Sequence, residues 1–115
     1  MIYKDLAVWK LGMDLVIEIY KVTMKFPKEE LFGLVSQMRR AAVSIPSNIA
    51  EGSGRRNTKE YIQFLYIAKG SLLELETQME IASRLNYIEN TDQFTEWIKR
   101  LRNMLVKLIA SLESK

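Results

Sequence analysis

The apolar residues between positions 61 and 82 constrain the fold more than any other part of the chain. They recur every three or four positions, a spacing that places them on one stripe of an α-helix. The stripe consists of Tyr61, Leu65, Ala68, Leu72, Leu75, Met79 and Ala82. A helix with so long an apolar stripe needs other helices to cover it, so the segment predicts a helical bundle.

The same spacing recurs elsewhere in the chain, and no strand-like alternation competes with it. We therefore predict an all-α fold, an antiparallel up-down four-helix bundle with short turns, as a single domain over residues 1–115. The four helices are expected at about residues 4–25, 28–53, 57–85 and 92–113.

The ends of the predicted helices carry recognisable signals. Asn57 or Thr58 is expected to cap the third helix, and Asn57 followed by Glu60 at the third helical position resembles a capping box. Gly52-Ser53-Gly54 is expected to supply a left-handed C-cap and the turn before that helix.

Pro46 interrupts the pattern of the second helix. A proline inside a helix removes one hydrogen bond and clashes with the preceding turn, at a cost of about 3 kcal/mol. Because Ile49 and Ala50 keep the helical phase beyond it, we predict one long helix that is kinked at Pro46. The alternative is a true break into two helices at this proline.

The first predicted helix carries two apolar stripes. The first stripe runs through Leu6, Trp9, Met13, Val16 and Tyr20, and the second stripe through Val8, Leu11, Leu15, Ile19 and Val22. Two stripes cover more of a helix than one core-facing seam requires. The helix is then either wedged between two neighbours within the bundle, or its second stripe is a subunit interface.

Glycine in the middle of the third helix is a separate signal. Gly70 costs about 1 kcal/mol relative to alanine, and we expect it to let another helix approach closely, such as the Ala- and Ser-rich face of the second helix.

The composition excludes several kinds of active site. The 115 residues include neither cysteine nor histidine, so a thiolate nucleophile, a Cys-ligated zinc and the commonest general base are all missing. The net charge of +3 is modest beside that of a dedicated nucleic-acid binder. No apolar run reaches the ~20 residues that span a bilayer. We predict a cytoplasmic protein that is not an enzyme and has no cofactor and no metal.

Two groups of basic residues are candidates for phosphate contacts, because arginine binds phosphate through paired hydrogen bonds and lysine as a point charge. One group is Arg55, Arg56 and Lys59, and the other is Lys99, Arg100 and Arg102. The alternative for both is a solvated helix face with ion pairs to nearby glutamates. A structural polar network is expected from Arg39, Arg40, Asn48, Glu51 and Glu74.

Five motifs taken together resemble one known family. They are Leu6-x-x-Trp9, FPKEELFGL at 26–34, QMRRAA at 37–42, SIPSNIAEG at 44–52 and GSLLELE at 70–76. In this combination the chain resembles the four-helix-bundle proteins encoded in intervening sequences of bacterial 23S ribosomal RNA genes. The resemblance covers about residues 3–88, and the fourth helix matches only in pattern.

The resemblance implies an up-down four-helix bundle that assembles into a ring-like homo-oligomer, a pentamer. It implies no catalytic activity. A related branch, the accessory proteins of diversity-generating retroelements, forms a basic pentameric barrel that binds nucleic acid and a partner reverse transcriptase.

Three hypotheses for function follow. The first is a non-enzymatic homo-oligomer that binds RNA or DNA, or a nucleoprotein, through repeated basic surfaces. The second is a structural protein–protein adaptor that binds no nucleic acid. The third is an enzyme or metal carrier that uses carboxylates such as Glu51, Glu74 and Glu76, and the absence of histidine disfavours it.

Overall fold

The computed structural model describes residues 2–115. Within this range the chain forms four α-helices and no β-strand, which confirms the all-α prediction. Short 3-10 turns cover Tyr3–Asp5 and Lys28–Glu30, and a π-helical turn covers Leu31–Val35. The α-helices are α1 (Ala7–Thr23), α2 (Ser36–Ser53), α3 (Thr58–Arg84) and α4 (Asp92–Glu113).

Consecutive helices run antiparallel, as short connections require. Between α1 and α2, Gly12 lies against Pro46, while Thr23 accepts a hydrogen bond from Arg39. Between α2 and α3, the hydroxyls of Ser44 and Ser71 are 2.8 Å apart. In the third pair, α4 runs back along α3, and α1 also packs against α4. The result is an elongated body of 46 × 24 × 20 Å.

The second helix differs from its prediction in where the chain breaks. The α2 helix continues through Pro46 without interruption, so the alternative of a true break at this proline is wrong. The non-helical residue is Gly33, with φ −111° and ψ −110°. The Glu30 carboxylate accepts a 3.2 Å hydrogen bond from the Leu34 N–H, which caps the chain at this break. A kink at Pro46 stays a prediction.

The first helix buries the stripe that was a candidate subunit interface. In the second stripe Leu15 and Ile19 are fully buried and Val8 is nearly so, so the interface hypothesis for this stripe was wrong. The first stripe is the more exposed one, since Met13 and Tyr20 both reach solvent. The helix begins only at Ala7 because Leu6 has an extended backbone.

The helix ends confirm one cap and correct another. The Asn57 side chain accepts a 2.9 Å hydrogen bond from the Glu60 N–H, as the capping signal predicts. The left-handed cap at Gly52-Ser53-Gly54 was wrong, because Gly54 has a φ of −92°. Among residues 2–115 the one residue with positive φ is Asn86, at 63°, which follows Leu85, the C-cap residue of α3.

The core draws on all four helices. Leu15, Ile45, Leu72 and Leu101 are fully buried members of it, one from each α-helix. Trp9, Tyr61 and Trp97 are partly buried and pack against this core, as expected for core aromatics. Burial raises the pKa of the Tyr61 hydroxyl above its usual value.

Candidate nucleic-acid interface

The turn between α2 and α3 presents three cations, but only two are free of ion pairs. Arg55 donates to the Glu51 carboxylate at 2.6 Å, and its guanidinium lies 4.5 Å from the centre of the Phe64 ring. Arg56 and Lys59 are exposed, and neither forms a salt bridge within residues 2–115. The accessible positive charge at this end of the bundle therefore lies on Arg56 and Lys59.

The basic residues of α4 lie far from this turn. Arg102 donates a 3.2 Å hydrogen bond to Glu76 on α3, and Glu76 is 17 residues beyond Lys59. At 1.5 Å per residue this corresponds to about 25 Å along α3. Lys99 and Arg100 are exposed and line a shallow hollow beside Trp97. The two predicted phosphate-binding groups are thus separate surfaces within one chain.

The residues predicted to form a polar network have separate partners. Arg39 donates to Thr23 at 3.0 Å and to the Tyr20 carbonyl at 3.3 Å, both on α1. Glu51 binds Arg55 as described above. Arg40 and Glu74 are exposed, and the ion pairs found within residues 2–115 include neither of them. Within residues 2–115, neither Arg39 nor Arg40 therefore pairs with Glu51 or Glu74.

Asn48 belongs to a hydrogen-bonded chain between α2 and α3. Its Nδ2 donates to the Ser44 carbonyl at 2.7 Å and to the Ser44 hydroxyl at 2.8 Å. The Ser44 hydroxyl in turn meets that of Ser71. Because this series of hydrogen bonds joins two helices, it fixes their register. This is the role expected of a hydrogen-bonded amide at this position.

The outer face of α3 exposes two large apolar side chains, Tyr66 and Leu73. We call outer α3 face the exposed residues Tyr66, Gly70, Leu73 and Thr77, which are spaced by four, three and four positions. A Cβ added to Gly70 would meet no atom within 4 Å. The expectation that Gly70 lets α2 approach was therefore wrong, and no contact within residues 2–115 accounts for this glycine.

A hollow of about 610 Å³ lies between the end of α1 and the start of α2. We call it the α1–α2 hollow. Arg39 and Arg40 line it together with Tyr20 and Phe32. The Arg39 guanidinium lies 4.5 Å from the centre of the Tyr20 ring. Phe32 is 93% exposed, although a phenylalanine usually avoids water.

The segment that contains Phe32 is hydrogen-bonded to the connection between α3 and α4. The Tyr87 hydroxyl, between α3 and α4, donates a 2.9 Å hydrogen bond to the Glu30 carboxylate. That hydrogen bond raises the pKa of the Tyr87 hydroxyl, with a smaller contribution from burial. The rings of Phe26 and Tyr87 are 5.3 Å apart. Glu30 therefore joins both connecting segments at this end of the molecule.

Two other kinds of site are absent from the part of the chain that the structure describes. Residues 2–115 contain no group of three or more carboxylates close enough to share a metal ion. None of the helices in the same range combines the length and the apolar character needed to cross a bilayer.

Comparison with known proteins places the chain in a family. A family model described as 23S rRNA-intervening sequence protein matches residues 4–110. The chain belongs to the 23S rRNA-intervening sequence protein family. This confirms the resemblance that the motifs between residues 6 and 76 carry, and it extends the match across α4.

One solved structure gives this family member a structural relative. It is the crystal structure of a protein with unknown function from the S23 ribosomal protein family of Bacteroides thetaiotaomicron. The two chains are 23% identical, the match covers 94% of this chain and 96% of that chain, and the TM-score is 0.65. At this identity the likeness shows the fold alone. No curated protein sequence matches the chain.

Sequence reasoning missed several contacts of this family member. Thr23 and Tyr20 were not recognised as partners of Arg39, nor Tyr87 as the partner of Glu30. Both contacts join segments that are 16 or more residues apart, and helical periodicity carries no information at that range. The available signal near Glu30 was Phe32 itself, which adjoins Gly33 and stands between Leu31 and Leu34, two apolar residues at helical spacing.

Proposed function

We propose that this family member is a non-enzymatic, ring-like homo-oligomer that binds the backbone of RNA or DNA through cations brought together at one end of the ring. Five copies are expected from the family resemblance. The observation that carries the proposal is the outer α3 face, with Lys59 at one end of it.

Gly70 supports self-association through this face. Glycine within a helix is about 1 kcal/mol less favourable than alanine, and an added Cβ at Gly70 would point into open space. A helix of a second copy packed against Gly70 accounts for the missing side chain. Tyr66 and Leu73 on either side are 49% and 42% exposed, and the same contact would bury their apolar surface.

Lys59 connects this contact to nucleic-acid binding. It lies seven residues before Tyr66, which places it on the same face two turns closer to the start of α3. Arg56 lies just beyond it in the turn. Copies that meet through the outer α3 face bring these cations together, and repeated weak sites on one assembly bind a strand more tightly than one site does.

The experiment is a titration of a labelled single-stranded RNA or DNA by fluorescence anisotropy at several salt concentrations. We expect tighter binding at lower salt. The double variant Arg56→Ala/Lys59→Ala should flatten the dependence of log K on log salt, by about 0.7 for each lost phosphate contact. The matched control is Lys10→Ala/Lys107→Ala, which removes the same charge from exposed residues of α1 and α4.

Two outcomes would contradict the proposal. One is the absence of binding to RNA and to DNA at low ionic strength. The other is an equal loss for both double variants, because general charge and not the Arg56–Lys59 surface would then govern the affinity.

A structural protein–protein adaptor is the second candidate. It is favoured by exposed apolar side chains near the start of α2, where Met24, Leu31 and Phe32 all face solvent. A pull-down that returns one protein in stoichiometric amount, unchanged by nuclease treatment, would favour this function over the first.

A further inference from the structure

The α1–α2 hollow carries positive charge without any compensating carboxylate. Its lining includes Arg39 and Arg40 and no aspartate or glutamate. Arg40 forms no salt bridge within residues 2–115. Two neighbouring guanidinium groups without an acidic partner favour an anion, and arginine is suited to phosphate by its fork of donors.

One of these arginines is held in place by the fold. Arg39 Nε donates to the Thr23 hydroxyl, Nη2 donates to the Tyr20 carbonyl, and the Tyr20 ring lies beneath the guanidinium. A side chain fixed in this way loses little conformational freedom when it binds a ligand. Arg40 next to it is exposed and can turn toward the same anion.

The aromatic side of the hollow is equally accessible. Phe32 is almost entirely exposed, so its ring is open to a planar partner. Phe32 lies in the segment whose helical geometry is interrupted at Gly33. Glu30 fixes this segment by accepting hydrogen bonds from the Leu34 N–H and the Tyr87 hydroxyl. Because hydrogen bonds fix this segment, the Phe32 ring stays exposed to solvent and is available for stacking with a nucleobase. Stacking of this kind does not depend on which base is present.

We infer that the α1–α2 hollow binds one nucleotide unit of a single-stranded nucleic acid, with the base stacked on Phe32 and the phosphate at Arg39 and Arg40. A volume of about 610 Å³ lies within the ~300–1,000 Å³ of ordinary ligand sites. The inference rests on the proposed function and adds a base-stacking site that is separate from Arg56 and Lys59.

An acidic peptide also matches the charge of the hollow, but it matches the rest less well. Peptides that dock as strands need an open sheet edge, and residues 2–115 contain no strand. A helical peptide is held by several apolar side chains in a groove. Leu31 and Val43 of the lining are less than half exposed, whereas the Phe32 ring is 93% exposed, so one flat ring dominates the apolar surface. The ring and the guanidinium pair together correspond to the two parts of a nucleotide.

The experiment compares two labelled strands that differ only in their bases: a 12-mer of deoxyadenosine and a 12-mer of abasic sugar phosphate. The full-length protein is titrated against each by fluorescence anisotropy. We expect the wild type to prefer the adenosine strand, and Phe32→Ala to weaken binding of that strand by about 5- to 150-fold, the range for losing one stacked base. Phe32→Tyr should retain the preference.

Controls separate the hollow from general effects. Arg40→Ala should weaken binding of both strands, while Lys107→Ala, which removes the same charge from an exposed residue of α4, should change either affinity much less. Ile17→Ala, a truncation of another exposed apolar residue, should leave the preference for bases intact. Adenosine monophosphate should displace the strand from the wild type only at concentrations far above those of the strand, because it offers a single unit.

Several results would overturn the inference while leaving the proposed function standing. They are equal binding of the adenosine and abasic strands, a preference that Phe32→Ala does not change, and tighter binding of a labelled Glu- and Phe-rich peptide that depends on Phe32 and Arg40. Conversion of the protein to monomers by Phe32→Ala would also overturn it, by showing that another copy covers the hollow. If the wild type binds neither strand at low salt, the proposed function fails as well.

Discussion

Gly52 on α2 and Gly70 on α3 both lie within helices, yet their surroundings are opposite. A Cβ added to Gly52 would lie 2.7 Å from the Phe64 Cβ and 3.2 Å from the Tyr61 carbonyl oxygen. A Cβ added to Gly70 would meet nothing within 4 Å. The inner surface of α3 therefore explains why position 52 is a glycine, whereas no contact among residues 2–115 explains the glycine at position 70.

The same contrast extends to the neighbouring side chains of α3. Leu72 is fully buried, while Leu73 beside it is 42% exposed. Packing of the core is sufficient to explain why position 72 is a leucine. For Leu73 and Gly70 we propose that a second copy of the chain supplies the missing contact, so substitutions on the two faces should have different effects.

Truncation of the adjacent leucines should have the most unequal effect. Leu72→Ala is expected to lower the free energy of unfolding by about 2–5 kcal/mol, because it leaves a cavity in the core. Leu73→Ala should change the stability of the monomer by less than about 0.5 kcal/mol but weaken self-association. Urea denaturation at low protein concentration measures the first, and analytical ultracentrifugation the second. Similar destabilisation by both would contradict the distinction between the faces.

Gly52→Ala should be the next largest effect. The new methyl group overlaps Phe64 and the backbone of α3, so the helices must separate, at a cost of about 1–3 kcal/mol. The midpoint of thermal unfolding should fall accordingly. Gly54→Ala is a suitable control, because a Cβ there meets only the Glu51 carbonyl oxygen at 3.7 Å. An unchanged or higher midpoint for Gly52→Ala would show that the close contact is absent.

Gly70→Ala should have the opposite sign in the monomer. Alanine favours the helix by up to about 1 kcal/mol, and nothing in the chain opposes it, so the diluted protein should be more stable. Gly70→Leu should instead weaken association, because a bulky side chain prevents close approach. Ala110→Leu on the exposed side of α4 is the matched control. Full association of Gly70→Leu would remove the argument from this glycine.

The smallest expected effect is a loss of stability at alkaline pH. It involves the connection between α3 and α4, at the end of the bundle opposite the α2–α3 turn. Hydrogen bonding to Glu30 raises the pKa of Tyr87 in the folded protein, so the neutral phenol is favoured there. This contribution to stability is present below the unfolded-state pKa of about 10 and is lost as the pH rises above it. Tyr87→Phe should show a smaller loss above that pH. Because burial also raises the pKa of Tyr61, tyrosinate absorbance should show two late-titrating groups in the folded wild type and one in the variant.

Periodicity predicted the helices well where a helix is regular. The bounds of α4 match the structure, and Asn57 caps α3 as its side-chain chemistry suggests. The break at Gly33 was not predicted because Leu31 and Leu34 keep helical spacing across it, whereas Pro46 lacks the N–H that a helix requires. Burial of Pro46 against Gly12 of α1 shows how packing absorbed it, and that contact joins residues 34 positions apart.

The candidate sites were less predictable for a related reason. Arg55 and Arg56 are adjacent in sequence, yet one is neutralised by Glu51 and the other is exposed. Only side-chain geometry separates a paired cation from a free one. The α1–α2 hollow depends on Tyr20 of α1 contacting Arg39 of α2, with Phe32 on the same rim, and no local pattern in the sequence predicts that arrangement.

Sedimentation equilibrium of the wild type and of Leu73→Asp tests the central claim most directly. If copies associate through the outer α3 face, the wild type at micromolar concentration has several times the 13.4 kDa mass of one chain, and Leu73→Asp is a folded monomer. A wild type that sediments as a single 13.4 kDa chain, or an aspartate variant that assembles as well as the wild type, would contradict it.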